Sequence, residues 1–315
     1  MKSNPVPGRL ASAAAALLAL SLLLGFPVSD AGAEDDGNEF LVVCSTTQVA
    51  DFARQVAGDR AMVHCVLTPG ADPHLYEPRP GDARIVARAD LVLQNGLHLE
   101  GKNWMETLAH DAGKPVVTCA DGIEPLRLDA EGKRVDDPHA WFDPANAVIY
   151  VRNVTEALAR YDPERADEYR ARADLYIAQL RALHLWTIER FHAIPPERRI
   201  LVTSHDAFNY FCRTYDFTAA APVGWSTGAE VGGGMSPERR RTVVESIKEF
   251  DVPAIFVETT VNPKLIREIA REAGVEIGGE LYSDSMGPVG SAGETYIGMM
   301  RENTLTIAEA LGTGE

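Results

Sequence analysis

The 315-residue chain reads as an α/β protein built on parallel sheets. Two observations carry this. Short, continuous apolar runs alternate with amphipathic stretches, which implies strands covered by helices on both faces. One stretch in the middle runs about 30 residues without Gly or Pro, far longer than a helix that merely crosses a sheet.

Phe40 to Cys44 is the first apolar strand, and Val49 to Ala57 the helix after it. Ala61 to Leu67 is a second strand, Asp82 to Ala89 a helix, Leu91 to Leu93 a third strand and Pro115 to Cys119 a fourth. Asp143-Pro144 opens the next helix, with Asp at the cap and Pro at the first helical position. Asp162-Pro163 opens the long one, which extends to about Ala193 and stops at Pro195-Pro196. Ala166, Tyr169, Ala173, Tyr176, Leu180 and Leu183 recur at spacings of three and four and form one apolar stripe. We read this helix as a spine. A second α/β unit follows: strands at Arg199–Thr203, Phe217–Val223, Ala254–Val257 and Val275–Leu281, and helices at Asp206–Tyr215, Ser236–Glu249, from Asn262-Pro263, and Glu294–Leu311, with a glycine-rich loop from Gly224 to Met235.

The first residues are read as separate from the fold. Lys2 and Arg9 precede an apolar run from Leu10 to Leu24, and Ala31-Gly32-Ala33 fits a small-x-small cleavage site. Residues 1–33 therefore read as a secretory signal peptide. The run is short of the roughly 20 residues that span a bilayer, and no cysteine follows it as a lipid attachment site, so stable membrane insertion is not expected. With 46 acidic and 30 basic residues the formal net charge is −16, which disfavours nucleic acid as a partner. Cys44, Cys65, Cys119 and Cys212 lie in the exported part, where disulfides are permitted. None forms a CxxC pair, and Cys44 with Cys65, on the first two strands, is the expected pairing.

Ligands of open parallel sheets bind beyond the carboxyl ends of the strands. Four donor residues fall there. His74 follows the second strand, within Asp72-Pro73-His74, a tripeptide repeated as Asp137-Pro138-His139. His139 lies past the fourth strand, His205 directly after Ser204, and Asp284 after Leu281-Tyr282-Ser283. Proline fixes its own φ and keeps the residue before it extended, so both Asp-Pro-His histidines leave stiff, non-helical backbone. Three imidazoles and a carboxylate make an N/O site for a borderline divalent cation, zinc or manganese. Of the other histidines, His64, His184 and His192 read as structural or surface, and His98 and His110 as exposed. Asp206 and Glu258 are candidates to accept the second N–H of a ligating imidazole.

Motifs in series carry a resemblance. Pro69-Gly70-Ala71-Asp72-Pro73-His74-Leu75-Tyr76-Glu77-Pro78, Asn95-Gly96-Leu97-His98-Leu99-Glu100, Asp137-Pro138-His139-Ala140-Trp141-Phe142-Asp143-Pro144, Ser204-His205-Asp206-Ala207-Phe208 and Leu281-Tyr282-Ser283-Asp284 resemble the metal-binding solute-binding proteins of manganese and zinc ABC transporters, the TroA/ZnuA type, cluster A-I. The resemblance covers nearly all of the exported chain. It implies two (β/α)4 lobes joined by one long rigid helix, with the metal in the inter-lobe cleft. The implied divisions are a lobe over 34–161, the spine over 162–194 and a lobe over 195–315. The family's ligands map onto His74, His139, His205 and Asp284. The cargo would be Mn2+ or Zn2+, with Fe2+ also possible, and the partners an ABC permease and its ATPase, served by an exported, periplasmic monomer. Two departures bear on the metal: Gly122 to Asp136 contains no histidine where zinc-specialised members carry a His-rich loop, and the third ligand is His205 where many manganese- or iron-specialised members have Glu. The competing classes are a secreted zinc metallohydrolase and a metal-stabilised surface or adhesion protein. No His-Glu-x-x-His or Gly-x-Ser-x-Gly supports the hydrolase.

Overall fold

The computed structural model describes residues 39–130, 133–221 and 237–312. The leader expected at 1–33, the glycine-rich loop expected at Gly224–Met235 and the expected cap Ser236 lie outside the described residues.

The first sheet contains β1 (Leu41–Cys44), β2 (Met62–Cys65), β3 (Leu91–Gln94) and β4 (Val116–Thr118) in the order β2-β1-β3-β4. All its pairings are parallel. Strand order reverses between β1 and β3, which opens a crevice at their carboxyl ends. β1 and β3 are buried throughout, as continuous apolar runs require. Helix α1 (Thr47–Ala57) starts two residues after β1, and its cap is the Thr46 hydroxyl, which accepts from the Val49 N–H at 3.4 Å. Helices α2 (Pro80–Val86) and α3 (Trp104–Asp111) cross to β3 and β4.

An antiparallel hairpin, β5 (Arg127–Ala130) and β6 (Lys133–Asp136), then delivers the chain to Asp137. It was not expected from the sequence, because its two strands are four residues each and carry no apolar run. Helix α4 (Pro144–Tyr161) begins as expected: the Asp143 carboxylate accepts from the Ala145 N–H at 2.8 Å and Pro144 takes the first position.

Helix α5 (Ala166–Phe191) has 26 residues, about 39 Å at 1.5 Å per residue. It is a little shorter than expected at both ends. Asp162 does not cap it. The Asp162 carboxylate accepts from Arg165 and the Tyr169 hydroxyl instead, and Pro163–Arg165 forms a 3-10 turn. The expected stripe is buried from Tyr169 to Leu183 and continues through Ile177, Thr187 and Phe191. The spine packs on α1 and α4 from the first half and on the last helix from the second.

In the second half β7 (Ile200–Val202) pairs with β8 (Thr218–Ala220), and β9 (Ala254–Glu258) with β10 (Glu276–Leu281), all parallel. The helices are α6 (Asn209–Tyr215), α7 (Pro237–Glu249), α8 (Lys264–Ala273) and α9 (Tyr296–Leu311). α8 begins one residue after Pro263, which takes the cap position, and the Asn262 side chain before it accepts from the Lys264 N–H at 3.0 Å. α6 starts three residues later than expected. The carbonyl of His205 accepts from Ala207 and from the Thr203 hydroxyl, and its N–H is taken by Glu258, so the backbone there is committed to a turn.

The expected Cys44–Cys65 disulfide is not formed; all four cysteines are thiols. The pairing was reasonable as geometry, since Cys44 and Cys65 are register partners. Burial pushes the Cys65 thiol up to about 12 and Cys44 well above its ordinary value, so little of the thiolate that forms disulfides is present.

Phe52 on α1 joins the halves. Fully buried, it lies 5.7 Å from the Tyr150 ring of α4, 6.4 Å from Tyr176 of α5 and 4.9 Å from Tyr296 of α9. Asp51 beside it accepts from the Tyr296 N–H at 2.9 Å. Replacing Phe52 with Ala should cost about 3–5 kcal/mol. Urea unfolding should remain a single transition for both halves, because the ring packs on helices of each; two separated transitions would contradict this.

Candidate metal centre

The repeated Asp-Pro-His proves to be one local structure used twice. Proline removes the intervening N–H, and the Asp side chain accepts the next one. Asp72 Oδ1 accepts from the His74 N–H at 2.8 Å, and Asp137 Oδ1 from the His139 N–H at 3.0 Å. In the second copy the same carboxylate oxygen also lies 2.7 Å from His139 Nδ1. It thereby orients the imidazole with Nε2 inward. Asp137 is fully buried, and its other oxygen accepts from Asn209 Nδ2 at 3.2 Å, across to the second half.

His205 is held in an equivalent way. Its N–H donates to Glu258 Oε1 at 2.9 Å and its Nδ1 lies 2.7 Å from Oε2. Glu258 ends β9 and is buried. Asp284 follows β10 in a loop tied to the start of α1: Gln48 Nε2 donates to the Ser283 carbonyl at 3.1 Å, and the Met286 N–H to Thr47 Oγ1 at 2.9 Å. The Gly70 N–H, on the His74 loop, donates to Ser285 Oγ at 2.8 Å.

The four side chains converge. One donor atom from each of His74, His139, His205 and Asp284 can be chosen so that all lie within 4.8 Å of one another. His74 Nε2 is 3.3 Å from His139 Nε2. Asp284 Oδ1 is 3.2 Å from His139 Nε2, and Oδ2 is 3.1 Å from His205 Nε2 and 3.7 Å from His74 Nε2. The side chains of His139, His205 and Asp284 are fully buried and that of His74 is 3% exposed. Both Asp284 oxygens and His205 Nε2 are buried without a hydrogen bond, as donors that await a cation would be. A divalent ion with N/O preference fits this set.

Of the two residues expected beside the imidazoles, Glu258 stands against His205, with Oε2 2.7 Å from Nδ1, and the Asp206 carbonyl accepts from Asn209 Nδ2 at 2.8 Å. The sequence did not single out Asp137, although the signal was in the repeat itself. His64, His98, His110 and His192 are exposed and His184 half-buried beside the Tyr215 hydroxyl, as expected. His98 and Leu97 adopt left-handed backbone, φ 63° and 54°.

Residues 42–310 match the family model described as ZnuA, the periplasmic component A of a zinc-uptake complex. The chain belongs to this family. It is 35% identical to the manganese-binding lipoprotein MntA of Halalkalibacterium halodurans over 91% of this chain and 93% of the relative. It is 36% identical to the iron-binding protein YfeA of Yersinia pestis, over 93% of each. Among solved structures, the periplasmic zinc-binding protein TroA of Treponema pallidum superposes with a TM-score of 0.80 at 34% identity, over 87% of this chain and 99% of that one. The fold is that of the ZnuA family: two α/β lobes with parallel sheets joined by a long helix, here α5.

The electrostatics of this ZnuA-family centre separate its histidines. Burial holds His74 down to about 3, with the neighbouring imidazoles adding to the effect and Asp284 opposing it. Burial also penalises charge on His139, but the Asp137 and Asp284 carboxylates outweigh it and bring that ring to about 9. Burial likewise opposes charge on His205; Glu258 and Asp284 outweigh it and raise the ring well above its usual value. Asp284 is driven well below the usual carboxylate range: burial opposes this, and His205 and His139 overcome it. In the metal-free protein at pH 7, nitrogen-15 NMR should therefore find His74 neutral and His139 protonated. The sign of the linkage follows. His139, raised above its unfolded value of about 6.5, contributes stability that is complete below about 6.5 and lost as pH rises to about 9. His74, lowered, costs stability as pH falls from about 6.5 towards about 3. A neutral His139 at pH 7 would contradict this account.

Proposed function

We propose that the protein is the solute-binding component of a metal importer: it captures one divalent transition-metal ion outside the cytoplasmic membrane and delivers it to an ABC permease driven by its ATPase. The observation that carries the reading is the buried convergence of His74, His139, His205 and Asp284, with both Asp284 oxygens unpaired. We assign these four side chains as the metal's ligands. The divisions 34–161, 162–194 and 195–315 are the lobes and spine of this carrier, and residues 1–33 its leader. The first cysteine after the apolar run is Cys44, buried inside β1, so it is not a lipid anchor, and we read the protein as released into the periplasm. The ligand set is complete within one chain, which suits a monomer.

Nothing in this centre suits catalysis. A catalytic zinc keeps three protein ligands and an open position for water, whereas four buried side chains here face one another. We read the protein as a carrier and not an enzyme.

The cargo is Mn2+ or Zn2+, with Fe2+ the next candidate; relatives are named for all three metals. Three imidazoles and the Irving–Williams order make zinc the tighter binder in vitro whatever the physiological cargo. Asp284 turns both oxygens inward and can bind through both, which suits manganese, and residues 122–136 hold no histidine. We favour manganese as the cargo.

Purified protein should bind one divalent ion per chain, and His74→Ala or His139→Ala should weaken binding at least tenfold while the lobes stay folded. Calorimetry in buffers of different ionisation enthalpy should detect proton release at pH 7, because His139 must lose its proton to bind; affinity should fall as pH falls. Unchanged zinc affinity in His74→Ala would remove the ligand assignment.

In cells, a deletion strain under chelation should be rescued by manganese. Rescue by zinc alone, where manganese fails, would overturn the manganese preference and leave the carrier reading in place. No change in uptake of either metal would overturn the carrier reading.

A further inference from the structure

We infer that Gly101 and Trp104 are positioning residues that set where the first ligand, His74, stands. The inference rests on the metal-site reading above. His139 and His205 are oriented through their rings by the Asp137 and Glu258 carboxylates. His74 is fixed additionally through its backbone, by a loop that contains no ligand.

That loop is residues 95–103, between β3 and α3, with Trp104 the first residue of α3. A Cβ on Gly101 would stand 2.0 Å from the His74 carbonyl oxygen, 2.9 Å from its carbon and 3.4 Å from His74 Cα. The obstacle is backbone, not the end of a flexible side chain, so something must move. The Gly101 side is pinned. Its neighbour Glu100 is 2% exposed and accepts from the Ser45 hydroxyl at 2.6 Å, the Asn95 N–H at 2.7 Å and the Gly96 N–H at 3.1 Å. Leu97, His98, Lys102 and Asn103 already hold left-handed backbone, with φ between 53° and 63°, a region with little latitude for non-glycine residues. The His74 side is a surface loop with Leu75 43% exposed. Any side chain at 101 therefore displaces residues 73–75 and swings the His74 imidazole.

Trp104 acts on the same peptide from the next turn. It is buried, its Nε1–H donates to the Pro73 carbonyl at 3.2 Å, and its ring lies 5.0 Å from that of Tyr76. The Pro73 carbonyl and, through Asp72, the His74 N–H are thus held, and the His74 carbonyl fills the space that a Cβ on Gly101 would need. Gly101 removes bulk, Trp104 supplies a donor, and the ligand's backbone is located between them.

The test uses the full exported chain with Zn2+ in chelator competition and Co2+ as a spectroscopic probe of coordination. Gly101→Ala should lower zinc affinity about tenfold to a hundredfold, the range for groups that orient metal ligands, and should change the Co2+ ligand-field absorption. Trp104→Phe, which keeps the ring and loses the donor, should act in the same direction by a few fold. Gly81→Ala is the control, because a Cβ there meets only the end of Arg84 at 3.8 Å; it should behave as wild type. Wild-type affinity and an unchanged Co2+ spectrum in Gly101→Ala would overturn the inference. So would weaker binding with an unchanged spectrum, since a general loss of stability would produce that. If Gly101→Ala does not fold, Trp104→Phe decides by the same two readings. His74→Ala separates the failures: if it too binds normally the metal-site reading falls, and if only it weakens then the positioning inference falls alone.

Discussion

Asp284 is a carboxylate whose two oxygens are buried and accept no hydrogen bond. Burying an unsatisfied ion costs several kcal/mol even after relaxation, so the fold must supply positive charge in front of it. Three imidazoles from three different loops stand within 3.1–3.7 Å of those oxygens, and two of them, His139 and His205, are biased by their carboxylate neighbours towards the charged form. Without metal, the neighbouring carboxylates favour protons on His139 and His205; a bound cation would take their place. The centre is thus a site whose empty form is stabilised by what the ion will displace. Asp137 and Glu258 give each of these two rings an acceptor on the far side, which raises their proton affinity and their strength as ligands together.

The sequence made the outline of this centre legible because its signals are local. Each of the four proposed ligands follows a strand, His139 only after the hairpin, and the carboxyl ends of parallel strands gather such positions. The proline in Asp-Pro-His was legible as stiffness. The aspartate was not: its role depends on the side chain reaching forward two residues, where at Asp137 the same oxygen also meets the ring. Glu258 was legible as a cleft-facing end of a strand. Its specific partner was not, because nothing in the sequence states that β9 brings it to His205, 53 residues earlier.

Misread elements share a cause, which is tertiary contact overriding a local preference. Helix α6 begins late because Glu258 claims the His205 N–H. Asp162 looks like a cap and spends its carboxylate on Arg165 and Tyr169. The hairpin β5–β6 has strands of four residues each, too short for their pattern to announce them, and the Arg127–Asp136 ion pair at 2.6 Å joins the two. Cys44 and Cys65 were correctly placed as neighbours, but burial that brings them together also keeps them protonated.

The contacts between the halves bound how this carrier can open. On one side Gln48, Thr47 and Gly70 hold the Asp284 loop; on the other Asn209 holds Asp137, and Tyr210 donates to the Asp137 carbonyl at 3.0 Å. Each neutral hydrogen bond is worth on the order of 1 kcal/mol net, and a wide hinge motion would have to break them at each cycle. Below them, Phe52 and Asp51 join α1, α5 and α9 in one buried cluster. A helix of 26 residues packed on both halves cannot bend at a few hinge residues. Opening is therefore confined to what these tethers leave loose. The part of the centre nearest to solvent is the loop that carries His74 between Pro73 and Pro78, tied at its backbone by Asp72 and Trp104; His74 is the one of the four whose side chain retains any exposure. Metal exchange through that loop would leave His139, His205 and Asp284 in place, held by contacts that do not depend on the ion.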